Sequence, residues 1–288
     1  MIEMDLWSSY QVLHRENPGS DNAAKVDFYS KNSEFITRNS QNPNPKIAII
    51  IPAFNESSLI PRSLASINQI LETNKDTMVL VVDNNSIDET AEIAKFFGAK
   101  IIKEPKKGIG EARQSGLEAV PPSVKHILTT DADTVVPLNW LNAHKSSLEH
   151  KNTVFTYGEV NFIPDLQLSS INRFLLFGYT KTANFIHTIK NNFGIVISGG
   201  SNSGLNKDIA LFCGGYNRNL KKGEDTDIMT RISKYGDTVK INSPVITSAR
   251  RITNEGIIRH GFKRFHDNII HCLGYKESLY SESYKDYR

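Results

Sequence analysis

The chain has 288 residues, 39% of them hydrophobic and 23% charged, with a formal net charge of +3. That length suits one large α/β domain or two small ones, and the near balance of charge excludes the basic footprint of a nucleic-acid binder. Its two cysteines, Cys213 and Cys272, form no metal-type CxxC pair and no disulfide framework, so both are expected as free thiols.

Residues 1–45 are rich in Asn, Ser and charge and end in Gln41-Asn42-Pro43-Asn44-Pro45. They read as a polar arm, with a short helix near Asp5–His14, and then a linker. The opening residues lack the basic start and apolar core of a signal peptide, and no apolar run approaches the ~18 residues needed to span a bilayer. The expectation is a cytoplasmic chain.

A regular alternation follows. Lys46–Ile51 is an apolar run of buried-strand length, and Ser57–Leu71 has apolar residues at helical spacing. Met78–Val82 is a second strand. Ser86-Ile87-Asp88-Glu89 reads as a capping box that opens a helix ending at Gly98. Ala99–Ile102 is a third strand and Gly110–Val120 a helix; Val124–Thr129 is a fourth strand and Leu138–Leu148 a helix. This rhythm implies βαβ units and a parallel sheet covered on both faces. After about residue 150 the rhythm stops. Thr153–Val160, Ile195–Ile197 and Asp237–Ile241 read as strands, and Leu168–Ile189, Asp225–Tyr235 and Gly256–Leu273 as helices. This half is expected to extend the same sheet with strands of mixed direction.

In open parallel sheets ligands bind beyond the carboxyl ends of the strands. Those ends here carry Pro52-Ala53-Phe54-Asn55-Glu56, Asp83-Asn84-Asn85-Ser86, Lys103 to Gly110, and Asp131-Ala132-Asp133. Each alone could cap a helix or end a turn; their convergence on one edge points to a ligand. Two neighbouring carboxylates repel unless a cation compensates, and Mg²⁺ is commonly held by one or two carboxylates plus phosphate oxygens. Asp131 and Asp133 therefore ask for a divalent ion and a phosphorylated ligand. Lys106, Lys107 and Arg113 could add positive charge toward a diphosphate, and Gly108 and Gly110 allow close backbone approach. Asp83 could accept from a base N–H and Glu56 from a ribose hydroxyl. The ligand so described is a nucleoside diphosphate with a group attached.

A second acidic cluster, Gly223-Glu224-Asp225-Thr226-Asp227, opens a helix; capping alone would need fewer acids. Upstream lies Ile197-Ser198-Gly199-Gly200-Ser201-Asn202-Ser203-Gly204, whose glycines permit a tight loop beside a ligand and whose hydroxyls and amide suit contact with sugar hydroxyls. Downstream, Arg250 and Arg251 follow a strand-like run and suit phosphate or an anionic acceptor.

Taken in order, these segments resemble the family 2 glycosyltransferases of GT-A fold. The resemblance rests on Ile50 to Glu56, Val81 to Ser86 with Asp88-Glu89-Thr90, Gly108 through Arg113, Thr130-Asp131-Ala132-Asp133 as a DxD motif, Cys213-Gly214-Gly215-Tyr216, and Glu224-Asp225. It covers roughly residues 46–250, divided into a nucleotide-binding half, 46–150, and an acceptor-binding half, 151–250; residues 251–288 form a C-terminal helical tail. The resemblance implies that Pro52, Ala53, Glu56 and Asp83 line a nucleoside pocket, with Asn55, Asn85, Lys107, Gly110, Arg113 and Ala132 in the same donor-binding set. Asp133 would be the chief ligand of Mg²⁺ or Mn²⁺, with Asp131 beside ribose and metal. Asp225 would be the catalytic base, and Glu224 would help place the acceptor with Gly199, Gly200, Ser201, Arg250 and Arg251. The implied reaction is inverting transfer of one sugar from a nucleotide sugar, UDP-linked by expectation, to a glycan or lipid-linked glycan of a surface polysaccharide.

The chain departs from the family's processive members, having neither a QxxRW signature nor transmembrane helices. Gln114 replaces the Asn of an Ala-Arg-Asn segment, which leaves its role open. His260 and His266 are candidates for a late metal-binding histidine. The basic and aromatic tail from Phe262 onward reads either as a peripheral contact with the inner face of a membrane or as a packing or homodimer contact. The rival reading is a non-catalytic nucleotide-sugar or glycan-binding protein of the same fold, against which the Glu224-Asp225 pair argues. A nucleotidyltransferase would open with a glycine-rich loop after the first strand, and Pro52 to Glu56 holds no glycine.

Overall fold

Strands β1 (Ile47–Ala53) and β2 (Thr77–Asp83) are buried at every position. Successive strand residues face opposite sides of a sheet, so a strand without polar alternation needs cover on both. The computed structural model, which describes residues 30–163, 170–192, 199–220 and 222–263, supplies that cover. Ile47, Ile49 and Ile51 pack on one face against helices α1 (Glu34–Ser40), α2 (Ile60–Ile70), α3 (Thr90–Phe96) and α5 (Trp140–Leu148). Ala48 and Ile50 pack on the other against α4 (Ile109–Ala119), α7 (Lys207–Phe212) and α8 (Glu224–Ile232). Each fully buried isoleucine stabilises the fold by about 1.5–3 kcal/mol.

The main sheet has seven strands in the order β3-β2-β1-β4-β8-β6-β9, completed by β3 (Lys100–Lys103), β4 (His126–Thr129), β6 (Thr153–Tyr157), β8 (Ser203–Asn206) and β9 (Asp237–Lys240). β3, β2, β1 and β4 are parallel; β8 runs antiparallel to both β4 and β6, and β9 returns parallel to β6. The expected mixed extension is thus present, with β8 as the one reversed strand. A second sheet, unforeseen in the sequence, joins β5 (Thr134–Val135), β10 (Val245–Ser248) and β7 (Val160–Ile163). The run expected as one strand over 153–160 breaks at Gly158-Glu159 into β6 and β7, one in each sheet.

Helix α6 (Ser170–Asn192) packs beside β7, and α9 (Arg250–Glu255) follows β10. Residues 34–40, read as part of the polar arm, form α1 and dock on the domain. Asn39 is buried there and donates to the Asn74 and Thr77 carbonyls, while Asn68 Oδ1 accepts from the Phe35 and Ile36 amides. The capping box is corrected too. α3 begins at Thr90 with no side-chain cap, and Ser86 Oγ instead accepts from the Asn55 amide at 3.0 Å. Asp88 joins the two loops by accepting from Ser57 N and Thr90 N, each at 3.1 Å. The helix expected near Asp5–His14, the strand at 195–197, Cys272 and the tail beyond 263 lie outside the described residues. No described helix is long and apolar enough to cross a membrane. Cys213 is a free thiol.

Candidate active site

The parallel strands β1, β2 and β4 end along one edge, and β8, running the other way, begins there. Register pairs Thr129 at the end of β4 with Ser203 at the start of β8. The turn at 199–202 is therefore delivered beside Asp131 by strand direction alone. Thr129 Oγ1 fixes it by donating to the Gly200 carbonyl at 2.7 Å.

Arg113, one turn into α4, reaches into this junction and is 3% exposed. One guanidinium nitrogen, Nη2, lies 2.9 Å from Asp131 Oδ1, and the other, Nη1, lies 2.9 Å from Glu224 Oε1. Gly200 seats the guanidinium: a Cβ there would fall 1.7 Å from Arg113 Nη1. The Gly200 amide donates to Asp225 Oδ2 at 2.7 Å, and the Thr226 amide donates to Asp225 Oδ1 at 2.7 Å. Asp225 is half-buried at the first turn of α8, where orphan amides favour a carboxylate. Burial pushes the Asp131 carboxyl above its usual range; Arg113 opposes that shift and Asp133 adds to it. Burial raises Glu224 as well, against the pull of Arg113.

Asp133 is held by the second sheet. Pairing of β5 with β10 sets Thr134 against Thr247. Thr134 Oγ1 donates to Thr247 Oγ1 at 2.9 Å, and Thr247 Oγ1 donates to Asp133 Oδ1 at 3.1 Å. Just past β10, Arg250 binds both Glu56 oxygens, at 3.0 and 2.9 Å, and lies 3.7 Å from Asp133 Oδ2. The two expected residue sets therefore interlock: Arg250, read as an acceptor group, sits among donor-side carboxylates.

At the nucleoside end, Asp83 is buried and accepts from Ser86 N at 3.1 Å. Asn55 and Asn85 take left-handed backbone conformations, φ 52° and 68°. Asn55 Oδ1 accepts from Ile87 N at 2.9 Å, tying the ends of β1 and β2. Pro52 and Ala53 are the last two residues of β1, paired with Val82 and Asp83. Ala132 is buried between the two aspartates, and Lys107 Nζ lies 4.5 Å from the Phe54 ring centroid.

Several expectations change. Arg113, expected to add positive charge toward a diphosphate, has its two ends on Asp131 and Glu224. Gly110 gives close approach to the chain itself: a Cβ would fall 2.5 Å from the Asn217 carbonyl. Lys106 pairs with Glu111 and is mostly exposed. Arg251 Nε lies 3.6 Å from Glu255 Oε1. His260 bonds Glu255 at 2.6 Å and packs edge-on against Tyr179, so it serves the α6 interface; His266 lies outside the described residues. Gln114, whose role was open, accepts from Tyr216 N at 2.6 Å and so anchors the Gly214-Gly215-Tyr216 turn. Gly199 and the buried Ser201 flank Gly200 in this turn.

Two asparagines serve the scaffold in ways not evident from the sequence, where Asn84 reads only as part of a polar strand end and the Asn202 amide as a contact for sugar hydroxyls. Asn84 Nδ2 donates to the Glu104 and Lys106 carbonyls and its Oδ1 accepts from Gly108 N, fixing the β3–α4 loop. Asn202, fully buried, donates from Nδ2 to the Glu159 and Ser243 carbonyls, both at 2.9 Å. Its Oδ1 then faces Trp140 Nε1 at 2.9 Å and His144 Nε2 at 3.1 Å, which assigns the His144 proton to Nε2. Burial lowers the His144 pKa from 6.5 to about 4. Between those values the unfolded chain binds a proton that the native protein excludes, so stability falls as pH drops through this window. Thermal unfolding followed by circular dichroism is expected to show that fall, and His144→Gln to remove this part of it. An unchanged acid dependence in the variant would contradict the assignment.

Asp131 and Asp133 fit a hard divalent cation. Their donors are carboxylate oxygens, and Asp133 makes the charge on Asp131 less favourable, which a dication would relieve. Among the described residues no group of three or more His, Cys, Asp or Glu is placed to hold a metal, so phosphate and water oxygens would have to complete the shell.

Comparison with known proteins gives a consistent answer. The succinoglycan biosynthesis protein ExoW of Rhizobium meliloti is 35% identical over 109 residues, covering 35% of this chain and 34% of that one. The chain spans well under half the length of the curated relatives that it matches. Two solved structures share the fold at low identity. The mannosyltransferase PcManGT from Pyrobaculum calidifontis, in complex with GDP-Man and Mn²⁺, gives a TM-score of 0.58 at 14% identity, covering 96% of this chain and 76% of that one. S. aureus TarS 1–349 with UDP-GlcNAc gives 0.51 at 15% identity, covering 70% and 58%. Residues 48–211, more than half of the chain, match the sequence profile described as Glycosyl transferase family 2, and the chain belongs to that family.

Proposed function

We propose that the chain is an inverting glycosyltransferase that moves one sugar from a nucleotide sugar, UDP-linked, to a hydroxyl of a glycan or lipid-linked glycan, with Mg²⁺ or Mn²⁺ bound at Asp131 and Asp133. One observation carries this reading. Arg113 joins Asp131 at the strand edge to Glu224 at the helix start, and the Gly200 amide beside it holds Asp225, so the Asp131-Ala132-Asp133 turn and a half-buried carboxylate meet at one junction.

Both Asp225 oxygens already accept backbone amides, which fixes the carboxylate plane and leaves further lone pairs for an acceptor hydroxyl. In the displacement the acceptor oxygen bonds to the anomeric carbon as the bond to the diphosphate oxygen breaks. The hydroxyl proton passes to Asp225 and the nucleoside diphosphate departs. A bound divalent ion would neutralise charge building on that diphosphate. Asp83 at the end of β2, and Asn85 just beyond it, support a nucleoside at this edge. That the related folds above hold GDP-Man with Mn²⁺ and UDP-GlcNAc supports the donor class.

Release of nucleoside diphosphate from a panel of UDP- and GDP-sugars, with Mn²⁺ present, tests the reading. Turnover of a UDP-sugar is expected, with inversion at the anomeric carbon of the product by NMR. A product of retained configuration would sink the single-displacement account, and turnover of GDP-sugars alone would sink the UDP assignment.

A further inference from the structure

α6 is two-sided. Leu176 and Thr180 are buried, and Leu175 and Tyr179 pack against a small cluster of Ala249, Ile252 and Ile257. The other side exposes Ile171, Phe174 and Phe177, at 72%, 76% and 62%. At helical spacing these three form one stripe opposite the packed face, continued by the exposed Lys181, whose ammonium lies 5.6 Å from the Phe177 ring centroid. The helix that opens at Ile257 touches α6 where His260 meets the Tyr179 ring. It too exposes apolar residues, Ile258 and Phe262, beside the exposed Arg259. Single exposed apolar residues are ordinary; five large ones on two touching helices mark an interaction surface.

Charge selects the partner. α6 contains no acidic residue in its 23 positions and carries Arg173 and Lys181 on its described part. Glu255, the sole acid between residues 250 and 263, is engaged by Arg251 and His260. Pairing with a second copy of α6 would set like charges together, which opposes association. Aromatic rings bordered by basic side chains match an anionic interface, where rings enter the headgroup boundary and cations meet phosphates.

We infer that the outer faces of α6 and of the helix opening at Ile257 form a docking surface for an anionic lipid bilayer, with Phe174 and Phe177 as its anchors. α9, which carries Arg250, leads directly into the second helix. The inference stands apart from the transferase reading, since vesicle binding needs no turnover.

Co-sedimentation of the full chain with vesicles of equal parts phosphatidylglycerol and phosphatidylcholine, against phosphatidylcholine alone, tests it. Binding to the anionic vesicles only is expected. The Phe174→Asp/Phe177→Asp double variant is expected to lower the partition coefficient by about tenfold or more. Lys181→Glu, which keeps both rings, is expected to weaken binding too, and both changes fall on exposed positions, with circular dichroism confirming the fold. Failure of the wild type to bind either vesicle, or equal binding by the double variant, would overturn the inference. So would a wild-type dimer in sedimentation velocity that the double variant dissociates without any vesicle binding, since that result gives the face to a second copy.

Discussion

Arg113→Met is expected to lower the free energy of unfolding by about 3–5 kcal/mol and to abolish transfer. The guanidinium is buried between Asp131 and Glu224, with nitrogens 2.9 Å from each carboxylate, and it fills the space that a side chain at Gly200 would need. Methionine fills similar volume but leaves the buried Glu224 and the part-exposed Asp131, 37% accessible, without a counterion, and desolvation already pushes both up. Removing the cation raises them further. The variant should therefore recover part of its lost stability as pH falls and these carboxyls take up protons, a dependence the wild type shows less of. Arg113→Lys is expected to restore little, because an ammonium is a point charge and cannot span both carboxylates as the planar fork does. Denaturant titration across pH measures all three. A loss under about 1 kcal/mol for Arg113→Met, the level of an exposed ion pair, would show that the clamp is not what holds the two halves together.

Asp225→Asn is expected to lower kcat by about 10²–10⁴-fold while leaving the KM for the nucleotide sugar near its wild-type value. Asparagine keeps the side-chain shape and can still accept one of the two amides, from Gly200 or Thr226. It cannot take the acceptor proton. Donor-side groups at Asp83, Asp131 and Asp133 are untouched, so the defect should fall on the chemical step. A loss below about tenfold, or a matching rise in KM, would remove Asp225 from the role of base.

The donor half was legible because its signals are local. KIAIII and MVLVV are unbroken apolar runs, and each ends in polar residues that the parallel sheet must bring to one edge. Glu224 and Asp225 were legible as more acid than a helix start needs. What stayed hidden was set by long-range pairing among short strands. β8 reads Ser-Gly-Leu-Asn, with no apolar period, and its reversal beside β4 is what carries Gly200 to Arg113. β5 has two residues, and its pairing with β10 across more than a hundred positions is what sets Thr247 against Asp133. The Arg250–Glu56 pair spans 194 positions, and the roles of Asn84 and Asn202 depend on carbonyls brought from distant loops. Residue type announced Arg113 as a cation for a phosphate; only the fold shows its two ends on Asp131 and Glu224.

Calorimetric titration of UDP and GDP in turn into the full chain, with and without Mn²⁺, tests the central claim most directly. Binding that requires Mn²⁺, vanishes in Asp133→Ala and persists in Asp225→Asn is the expected result. A nucleoside diphosphate that binds equally well with the metal chelated, or equally well to Asp133→Ala, would contradict it.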